Sequence, residues 1–542
     1  MKRIVILFFG LMLGIGIKAV NYEIVPLPQH IQIQKGDPFL LHNKVQILMG
    51  SGLQQEATFL QAYLRELTGY SLTVSEKRQN KTVYIELRVS PEVTEAEGYI
   101  LTVTKKGITI TGGSAAGVFY GIQTLRKAVS VAGSNDTNMP EAVVTMPAVV
   151  IKDYPRFSWR GMHLDCSRHF FPVPFIKKFI DLLAMHNMNI FHWHLTDDQG
   201  WRIEIRKWPR LMEIGSQRSG TVIGTNSDLD DEMPYGGYYT QAEARDIVAY
   251  AAERHITVIP EIDMPGHMLA ALASYPELGC TGGSYQVGHF WGVYKDVLCA
   301  GNPKVYQFVE DVLTEIMDIF PSEVIHIGGD ETPTEKWETC PRCQKVSAGL
   351  QANETLQGYF TRRVFDFLAK NNRRALGWDE LLENNAPASS MIMSWRGSAP
   401  GAKAAALGHD VIMSPTTHCY FDYQQVEETL FEPSRCGGYI PIERVYSLDP
   451  APDSLSVEVR NHILGTQANL WSEYMTTEST VEYQALPRMS AIAEVQWTLP
   501  AHKDYAGFKQ RLTRLTELYD NYHYRYCKHL WPDRQMPNRW KF

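Results

Sequence analysis

The spacing of apolar and polar residues changes once along the chain, near residue 150. Before that point, short runs at 83–89, 98–104 and 107–111 are either alternately apolar and polar or continuously apolar, as strands are. Apolar positions at 54–68 and 115–129 recur with helical spacing. We therefore predict a small N-terminal α/β domain over residues 20–150, with a polar loop at 133–140 near its end.

From residue 151 onward, short apolar runs alternate with helical patterns, which is typical of parallel βα units. The runs lie at 159–165, 189–196, 255–262, 323–328, 373–378, 390–395, 410–414 and 462–468, and the clearest helices at 174–186, 241–254 and 303–320. Eight strands with crossovers favour a (β/α)8 TIM barrel over an open sheet, and we assign it to residues 151–500. Residues 501–542 are predicted to form a C-terminal helical extension packed on the barrel.

Residues 1–19 are predicted to be a separate segment. Lys2 and Arg3 precede an apolar run, residues 4–17, that is shorter than the roughly 20 residues needed to span a bilayer. This pattern predicts a secretory signal peptide cleaved after Ala19, so we expect an exported protein of the periplasm or the extracellular space. No later segment is apolar for 18 residues, and no membrane span is expected in the mature chain.

Composition narrows the class of partner. The 542 residues carry a formal net charge of −8, without the excess of basic residues that binds phosphates, which argues against a nucleic-acid partner. The 12 tryptophans and 27 tyrosines favour a polar, ring-shaped ligand that aromatic faces can cover. The sequence leaves the oligomeric state open.

Eight cysteines are too few for a disulfide scaffold in a chain of this length. The run from Cys340 to Cys343 resembles half of a zinc knuckle, but no second CxxC or HxxxH completes four ligands. A local disulfide or free thiols are therefore favoured, with Cys280, Cys299 and Cys340 in loop-like segments that cross-links would hold. We predict neither a metal nor a cofactor.

The predicted strand ends carry the residues with chemistry, as expected for the C-terminal rim of such a barrel. They are Asp165, Arg168, His192, His194, Asp197, Asp198, Glu261, Asp263, His267, Asp330, Glu331, Trp378, Asp379, Glu380, Trp395, Arg396, Tyr420, Asp422, Trp471 and Glu473. Tryptophan faces stack on pyranose rings, whereas carboxylates and arginine hydrogen-bond hydroxyl groups. The rim therefore predicts a sugar-binding site.

Asp330 and Glu331 are the strongest catalytic candidates. They follow an apolar run at 324–327 and two glycines that permit close backbone approach at a strand end. Glycoside hydrolysis normally uses two carboxyl groups that flank the bond, about 5–5.5 Å apart for retention. Adjacent residues cannot easily flank a bond, so only one of the pair is expected to be the acid. The residues alone leave Asp197 or Asp263 as possible nucleophiles.

Two other functions are compatible with the pattern. His192 and His194 share one face of a strand, a spacing that suits a metal-dependent barrel hydrolase, although paired histidines are as often buried hydrogen-bonding groups. A non-catalytic sugar-binding protein is the second alternative, but such a protein would more naturally have lost Glu331.

Several neighbouring residues are predicted to lie outside the chemistry. Asp165 is expected to cap a turn or brace Arg168. Asp198, Asp379 and Glu380 are expected to be structural or solvated. Trp291 and Tyr294 are interpreted either as outer sugar contacts or as loop packing.

Five ordered motifs resemble the family 20 β-N-acetylhexosaminidases. They lie at 154–165, 167–169, 192–199, 260–267 and 326–331. The whole resemblance spans roughly residues 153–497, and residues 22–150 resemble that family's N-terminal domain. The resemblance implies a (β/α)8 barrel that removes terminal β-linked GlcNAc or GalNAc with retention. It also implies substrate-assisted catalysis, an exception to the two-carboxylate rule.

The resemblance implies roles for individual residues. Glu331 is similar to the general acid/base, and Asp330 to the residue that orients the 2-acetamido group, whose oxygen attacks the anomeric carbon to give an oxazolinium intermediate. Tyr420 resembles the hydroxyl that holds that oxygen. A neighbouring carboxylate is expected to help keep Glu331 protonated until its proton is needed.

The remaining matches are with residues that bind or support the sugar. Arg168 and Glu473 resemble hydroxyl-binding residues, Trp378, Trp395 and Trp471 resemble aromatic walls, and Asp197, His267 and Asp422 resemble supporting polar groups. The implied partner is an oligosaccharide or glycoconjugate with a terminal β-N-acetylhexosamine. The choice among GlcNAc, GalNAc, a sulfated sugar and lacto-N-biose stays open.

Overall fold

The computed structural model describes residues 18–78, 83–129, 144–225, 227–427, 432–433 and 436–531. The predicted loop at 133–140 and all but the last two residues of the predicted signal peptide lie outside these ranges. The chain divides into two compact units, one of Met1–Ile24 and His30–Asp153 and the other of Val25–Gln29 and Tyr154–Phe542. None of the described helices is long and apolar enough to cross a membrane.

The first unit is built on a mixed sheet with two helices. Its seven strands lie in the order His30–Ile33, Val149–Asp153, Tyr99–Thr104, Gly107–Gly112, Tyr84–Val89, Gln46–Met49 and Thr73–Ser75. A smaller sheet has the order Lys18–Ala19, Val144–Met146 and Phe39–Leu41. Helices Gln54–Thr68 and Ala115–Ala128 pack on the large sheet and lie where helical spacing was predicted.

The second unit contains a closed barrel of eight parallel strands. In chain order they are β1 (Trp159–Asp165), β2 (Ile190–His194), β3 (Thr257–Glu261), β4 (Val324–His326), β5 (Arg374–Trp378), β6 (Met391–Ser394), β7 (Asp410–Met413) and β8 (Ile463–Ala468). β8 pairs with β1, from Trp159 opposite Gly465 to Met162 opposite Ala468, and closes the barrel. The predicted (β/α)8 barrel is therefore confirmed.

The barrel strands coincide with the predicted apolar runs because both faces of a parallel strand are buried. The barrel core is a cluster of buried residues: Trp159, Ile190, Ile259, Val324, Leu376, Trp378, Met391, Met393 and Ile412. β4 has only three residues. The chain leaves the sheet at Ile327, just before the two glycines and the acid pair.

The helices of the second unit surround the barrel and extend beyond it. The α-helices are Val173–Met185, Gln241–Ala252, Leu269–Ser274, Pro303–Ile319, Glu335–Thr339, Pro341–Ser347, Leu356–Lys370, Ser398–Ala406, Thr416–Cys419, Ile442–Ser447, Val457–Asn461, Glu478–Ala485, Arg488–Trp497 and Tyr505–Asn521. Thr240 and Glu243 form the predicted capping box, and the Asn302 side chain caps the helix that begins at Pro303. The last helix is held by a hydrogen bond between Tyr519 and His186 (2.8 Å).

Candidate active site

One pocket, with a volume of about 610 Å³, collects the predicted site residues at the C-terminal ends of the barrel strands. Its lining is Arg168, Asp197, His267, Asp330, Glu331, Trp378, Trp395, Tyr420, Asp422, Tyr423, Cys436, Trp471 and Glu473. All eleven residues chosen from the sequence line this pocket. Tyr423 and Cys436 are the two lining residues that sequence reasoning missed.

A glycine turn after β4 brings two consecutive acids into this pocket. Gly328 and Gly329 have positive φ angles of 66° and 96°, in the left-handed region that glycine adopts without steric cost. The Gly329 N–H donates to Oδ1 of Asp263 (3.2 Å), and a Cβ at Gly328 would lie 1.7 Å from that oxygen. Glu331 is itself left-handed, at φ 43°. The turn therefore aims both acids at one site, which an extended strand would not do.

His267 is the ionic centre of the site. Its Nε2 lies 3.6 Å from Oε2 of Glu331 and 3.8 Å from Oδ2 of Asp330, while its Nδ1 lies 3.2 Å from Oδ1 of Asp197 and 3.1 Å from Oδ2 of Asp198. Burial alone would lower the pKa of His267. The charge of Asp197 and the hydrogen bonds of His267 with Asp197 and Asp198 outweigh burial and raise that pKa well above the ordinary value. His267 is therefore an imidazolium between two pairs of carboxyl groups.

The protonation of the acid pair differs from the expectation drawn from the sequence. Burial raises the pKa of Asp330 to about 6, against the attraction of His267. The His267 ring, 3.6 Å away, lowers the pKa of Glu331, whose side chain is 44% exposed. In the free site the effect of His267 on the pKa of Glu331 therefore outweighs the effect of the neighbouring Asp330. Asp330 holds its proton more tightly than Glu331 does.

Arg168 supplies the second positive charge. Its guanidinium lies 2.9 Å from Asp197 and 3.3 Å from Asp165, and its Nε–H donates to Gln199 (3.0 Å). The guanidinium also lies 5.2 Å from the ring centroid of Trp471, within the range of a cation–π contact. Asp165 thus braces Arg168, which was one of its two predicted roles.

Aromatic rings wall the pocket. The rings of Trp378 and Trp471 have centroids 5.9 Å apart, and those of Trp395 and Tyr420 stack at 6.3 Å. Burial raises the pKa of Tyr420 well above its ordinary value, so its hydroxyl stays protonated and can donate. The Trp395 indole N–H donates to Glu380 (2.9 Å), which fixes the orientation of that ring.

A fully buried carboxylate lies outside the pocket lining and holds Trp378, which lines the pocket. Glu261, the last residue of β3, lies 2.6 Å from His194 Nδ1, 2.8 Å from His326 Nδ1 and 3.1 Å from His192 Nε2, and it accepts the Trp378 indole N–H at 3.0 Å. Burial would raise the pKa of Glu261, but the histidines lower it well below the ordinary value. The sequence placed Glu261 at a strand end but gave no sign of this network.

The histidines proposed as metal ligands belong to this network. His194 is engaged at both nitrogens, by Glu261 at Nδ1 and by Asp197 at Nε2 (2.9 Å). Charge and hydrogen bonds from these carboxylates overcome burial and raise the pKa of His194 well above its ordinary value. A doubly protonated His194 has no lone pair for a metal, so the arrangement does not suit a site in which His192 and His194 are both ligands.

The other residues weighed from the sequence support the site without lining it. Asp379 accepts the backbone N–H of Trp395 (2.9 Å). Asp198 accepts the backbone N–H of Leu269 (2.9 Å) in addition to its contact with His267. The Tyr294 hydroxyl donates to the Phe290 carbonyl (3.1 Å), and the Trp291 ring lies against His169. The buried Asp263 holds the glycine turn.

Three carboxylate oxygens in the pocket find no hydrogen-bond partner among the described residues. They are Asp330 Oδ1, Asp422 Oδ1 and Glu473 Oε2. Buried polar atoms are normally paired, and an unpaired one costs about 1–3 kcal/mol. Unpaired acceptors on residues that line a pocket are suited to a ligand rich in O–H and N–H donors.

Known sequence families decide which class of protein this is. The family model described as glycosyl hydrolase family 20, catalytic domain, matches residues 157–500. The model described as glycosyl hydrolase family 20, domain 2, matches residues 21–154. The chain belongs to glycosyl hydrolase family 20. The prediction of a glycoside hydrolase of this family, with a barrel that follows an N-terminal domain, is therefore confirmed.

Individual relatives agree with the family assignment. A beta-hexosaminidase of Porphyromonas gingivalis is 43% identical to this chain over 518 residues. The match covers 93% of this chain and 64% of that protein, so the chain spans just under two thirds of that relative. The family 20 beta-N-acetylhexosaminidase structure from Streptomyces coelicolor A3(2) is 31% identical with a TM-score of 0.80, covering 95% of this chain and 98% of that one. An exo beta-N-acetylglucosaminidase from Vibrio harveyi, solved with N-acetylglucosamine, is 31% identical with a TM-score of 0.82 over 95% of this chain and 79% of that one.

Proposed function

We propose that this family 20 protein is an exo-acting, retaining β-N-acetylhexosaminidase that hydrolyses terminal non-reducing β-linked GlcNAc or GalNAc by substrate-assisted catalysis. The observation that carries the proposal is the pair Asp330 and Glu331, both within 4 Å of His267 in a pocket walled by tryptophans. This arrangement provides one proton donor and one adjacent carboxylate rather than two carboxyl groups across a bond.

The attacking oxygen comes from the substrate. The 2-acetamido oxygen folds beneath C1 and displaces the leaving group, which gives an oxazolinium intermediate. Asp330, which lines the pocket, accepts the acetamide N–H and stabilises its growing positive charge. The Tyr420 hydroxyl donates to the acetamide oxygen. Held in attack geometry, such a nucleophile has an effective molarity of up to about 10⁵–10⁸ M.

Glu331 protonates the leaving oxygen and then activates the water that opens the oxazolinium ring. The free site lowers the pKa of Glu331, yet the first step needs its proton. The side chain is partly exposed, so an aglycone that covers it removes water and raises its pKa. Substrate binding therefore prepares the acid, while His267 stabilises the carboxylate that remains after proton transfer.

Asp197 is poorly placed to be the nucleophile of a conventional retaining mechanism. Its carboxylate is engaged by Arg168 (2.9 Å), His194 (2.9 Å) and His267 (3.2 Å). Burial would raise its pKa, but these charges lower it below the ordinary value, so Asp197 is a weakly basic anion. We assign it to hold Arg168 and His267 in place.

The other lining residues bind the sugar. Arg168 and Glu473 bind ring hydroxyls, and Asp422 assists with its unpaired oxygen. Trp378, Trp395 and Trp471 confine the acetamide and the ring. We further propose that the protein acts outside the cytoplasm, as the predicted signal peptide indicates.

Two assays test the proposal. Proton NMR of the first product from an aryl β-N-acetylglucosaminide is expected to show the β-anomer, and the matching 2-hydroxy glucoside is expected to turn over at least ~10³-fold more slowly because it lacks the nucleophile. A thiazoline that mimics the oxazoline is expected to inhibit tightly without labelling the protein. Comparable cleavage of the 2-hydroxy glucoside, or a covalent glycosyl adduct, would refute the mechanism.

A further inference from the structure

Four cysteines from two separate segments meet at one point outside the pocket. Cys280 and Cys299 lie in the long segment after β3, and Cys340 and Cys343 lie in the segment after β4. Their Sγ atoms all lie within 4.8 Å of one another, at 3.5 Å for Cys299–Cys343, 3.7 Å for Cys299–Cys340 and 3.8 Å for Cys280–Cys343. All eight cysteines, each within the described ranges, are free thiols.

These separations match those of a tetrahedral thiolate site. Four sulfurs at about 2.3 Å from a central Zn²⁺ lie about 3.8 Å from one another. A disulfide would instead place two of the sulfurs about 2.05 Å apart. The four thiols converge on one point rather than in two bonded pairs, which is the arrangement of a zinc site with four cysteine ligands.

The surroundings also suit an ion with four thiolates. Cys299, Cys340 and Cys343 are buried and Cys280 is half-buried, so the site is closed, as structural zinc sites are. The Gly301 backbone hydrogen-bonds to the Cys343 sulfur. The Arg342 guanidinium donates to the Gly279 carbonyl (2.9 Å) and interacts with the Cys299 sulfur, so it offsets part of the negative charge of four thiolates.

We propose that Cys280, Cys299, Cys340 and Cys343 bind one structural Zn²⁺. The ion joins the segment after β3 to the segment that begins with the acid pair. The Trp337 indole N–H, which donates to the Leu298 carbonyl (2.9 Å), joins the same two segments. The site lies apart from the chemistry and acts on stability and loop position rather than on the substrate.

Metal analysis and thiol counting test this site in the full chain. The protein is purified without chelators, and its zinc is measured by mass spectrometry of the metal. One zinc per chain is expected, and after denaturation in chelator without reductant all eight cysteines are expected to react with iodoacetamide. Four cysteines that fail to react would indicate two disulfides and would overturn the proposal. Eight reactive thiols without zinc, even after incubation with equimolar Zn²⁺ under reduction, would overturn it as well.

A substitution with a matched control locates the ion. Cys343→Ser is expected to lose the zinc and to lower Tm by about 5 °C or more, because an ion that binds only the folded state stabilises it. Cys527→Ser replaces a buried cysteine outside the cluster and is expected to keep one zinc. Zinc retained by Cys343→Ser would contradict the assignment.

Cobalt gives a readout that does not depend on the folding of a variant. Wild-type protein stripped of zinc and refilled with Co²⁺ is expected to show the visible d–d bands and the near-ultraviolet charge-transfer band of a tetrahedral thiolate site. A spectrum without thiolate charge transfer would overturn the proposal.

Discussion

Nε2 of His267 lies 3.6 Å from Oε2 of Glu331, so an imidazole whose pKa is raised by its carboxylate neighbours borders the proposed acid. Its positive charge lowers the pKa of Glu331, and burial only partly opposes this effect. The charge therefore opposes the first step, which needs the proton on Glu331, and favours the carboxylate that the second step uses as a base. The pH profile is expected to reflect this conflict.

Replacing His267 with Gln is expected to raise the pKa of Glu331, because the neighbouring charge disappears. A raised acid pKa keeps Glu331 protonated to higher pH in the enzyme–substrate complex, so the alkaline limb of kcat is expected to move upward by about one pH unit, while kcat at its optimum falls. Profiles of kcat against pH for both proteins measure the shift. His289→Gln, which removes a histidine outside the pocket lining, is expected to leave the profile unchanged; an alkaline limb that stays in place in His267→Gln would contradict the proposed coupling.

The acid limb is expected to report Asp330. Its pKa of about 6 means that the carboxylate becomes protonated as the pH falls below 6, and a neutral Asp330 cannot stabilise the oxazolinium charge. We expect kcat, which reports the enzyme–substrate complex in which the covered Glu331 keeps its proton, to fall below about pH 6, and Asp330→Asn to lose roughly 10²–10³-fold in kcat. A wild-type profile that stays flat down to pH 4.5 would contradict this assignment.

Asp330→Asn is also expected to be more stable than the wild type at neutral pH. An acid whose folded pKa is raised from 3.8 to about 6 destabilises the folded state above pH 6, by at most about 3 kcal/mol. The cost shrinks as the pH falls through 6 toward 3.8, because the folded state then keeps its proton. Thermal unfolding at pH 7.5 and pH 5 measures the effect; we expect a Tm increase of about 1–3 °C that diminishes at pH 5. A lower Tm for the variant at pH 7.5 would exclude this account.

Glu331→Gln is expected to show a loss that depends on the leaving group. Without a proton donor, an alkyl β-N-acetylglucosaminide is expected to lose about 10²–10⁴-fold in kcat/KM, whereas an activated aryl glycoside leaves without protonation and loses less in the first step. Glu335→Gln, at an exposed glutamate four residues later, is the matched control and is expected to keep full activity. Equal losses for both substrates would argue against a role as general acid.

Trp395 provides a test of the aromatic wall. Trp395→Ala removes a ring that Glu380 orients through a 2.9 Å hydrogen bond, and kcat/KM is expected to fall about 10–100-fold. Trp395→Phe keeps an aromatic face but loses the N–H, so it is expected to recover much of the loss. Steady-state kinetics on a GlcNAc glycoside would show a smaller loss of kcat/KM in Trp395→Phe than in Trp395→Ala. Equal losses in the two variants would indicate that the hydrogen bond to Glu380 matters more than the aromatic face.

The fold was predictable because its determinants are local. Each barrel strand is a short apolar run between polar segments, and the capping box at Thr240 marked where a helix begins. The pocket was predictable for a similar reason, since closing a parallel barrel brings all its strand ends to one rim. Arg168 and Glu473, which follow the first and last barrel strands and were assigned to the site by resemblance, therefore meet in space although about 300 positions separate them.

What the sequence did not reveal depends on contacts between distant segments. The ring of histidines around Glu261 forms only when β2, β3 and β4 lie side by side, and no spacing along the chain encodes it. Cys436 reaches the pocket from a segment without hydrophobic periodicity. The four-cysteine cluster joins two pairs about 60 residues apart, only one of which has the CxxC spacing that a motif search detects. We also expected the neighbouring carboxylate to keep Glu331 protonated. The structure differs because the nearby His267 lowers the pKa of Glu331, and the sequence does not give their distance.

The glycine at position 328 sets a limit on how this protein can be altered. Its φ angle and the closeness of Asp263 leave no room there for even a methyl group. Any larger residue would push aside the carboxylate that anchors the turn and would carry the acid pair away from the sugar. Engineers who seek a new specificity should therefore leave the β4 turn untouched and vary the segment after β7, around Asp422, Tyr423 and Cys436, which also line the pocket.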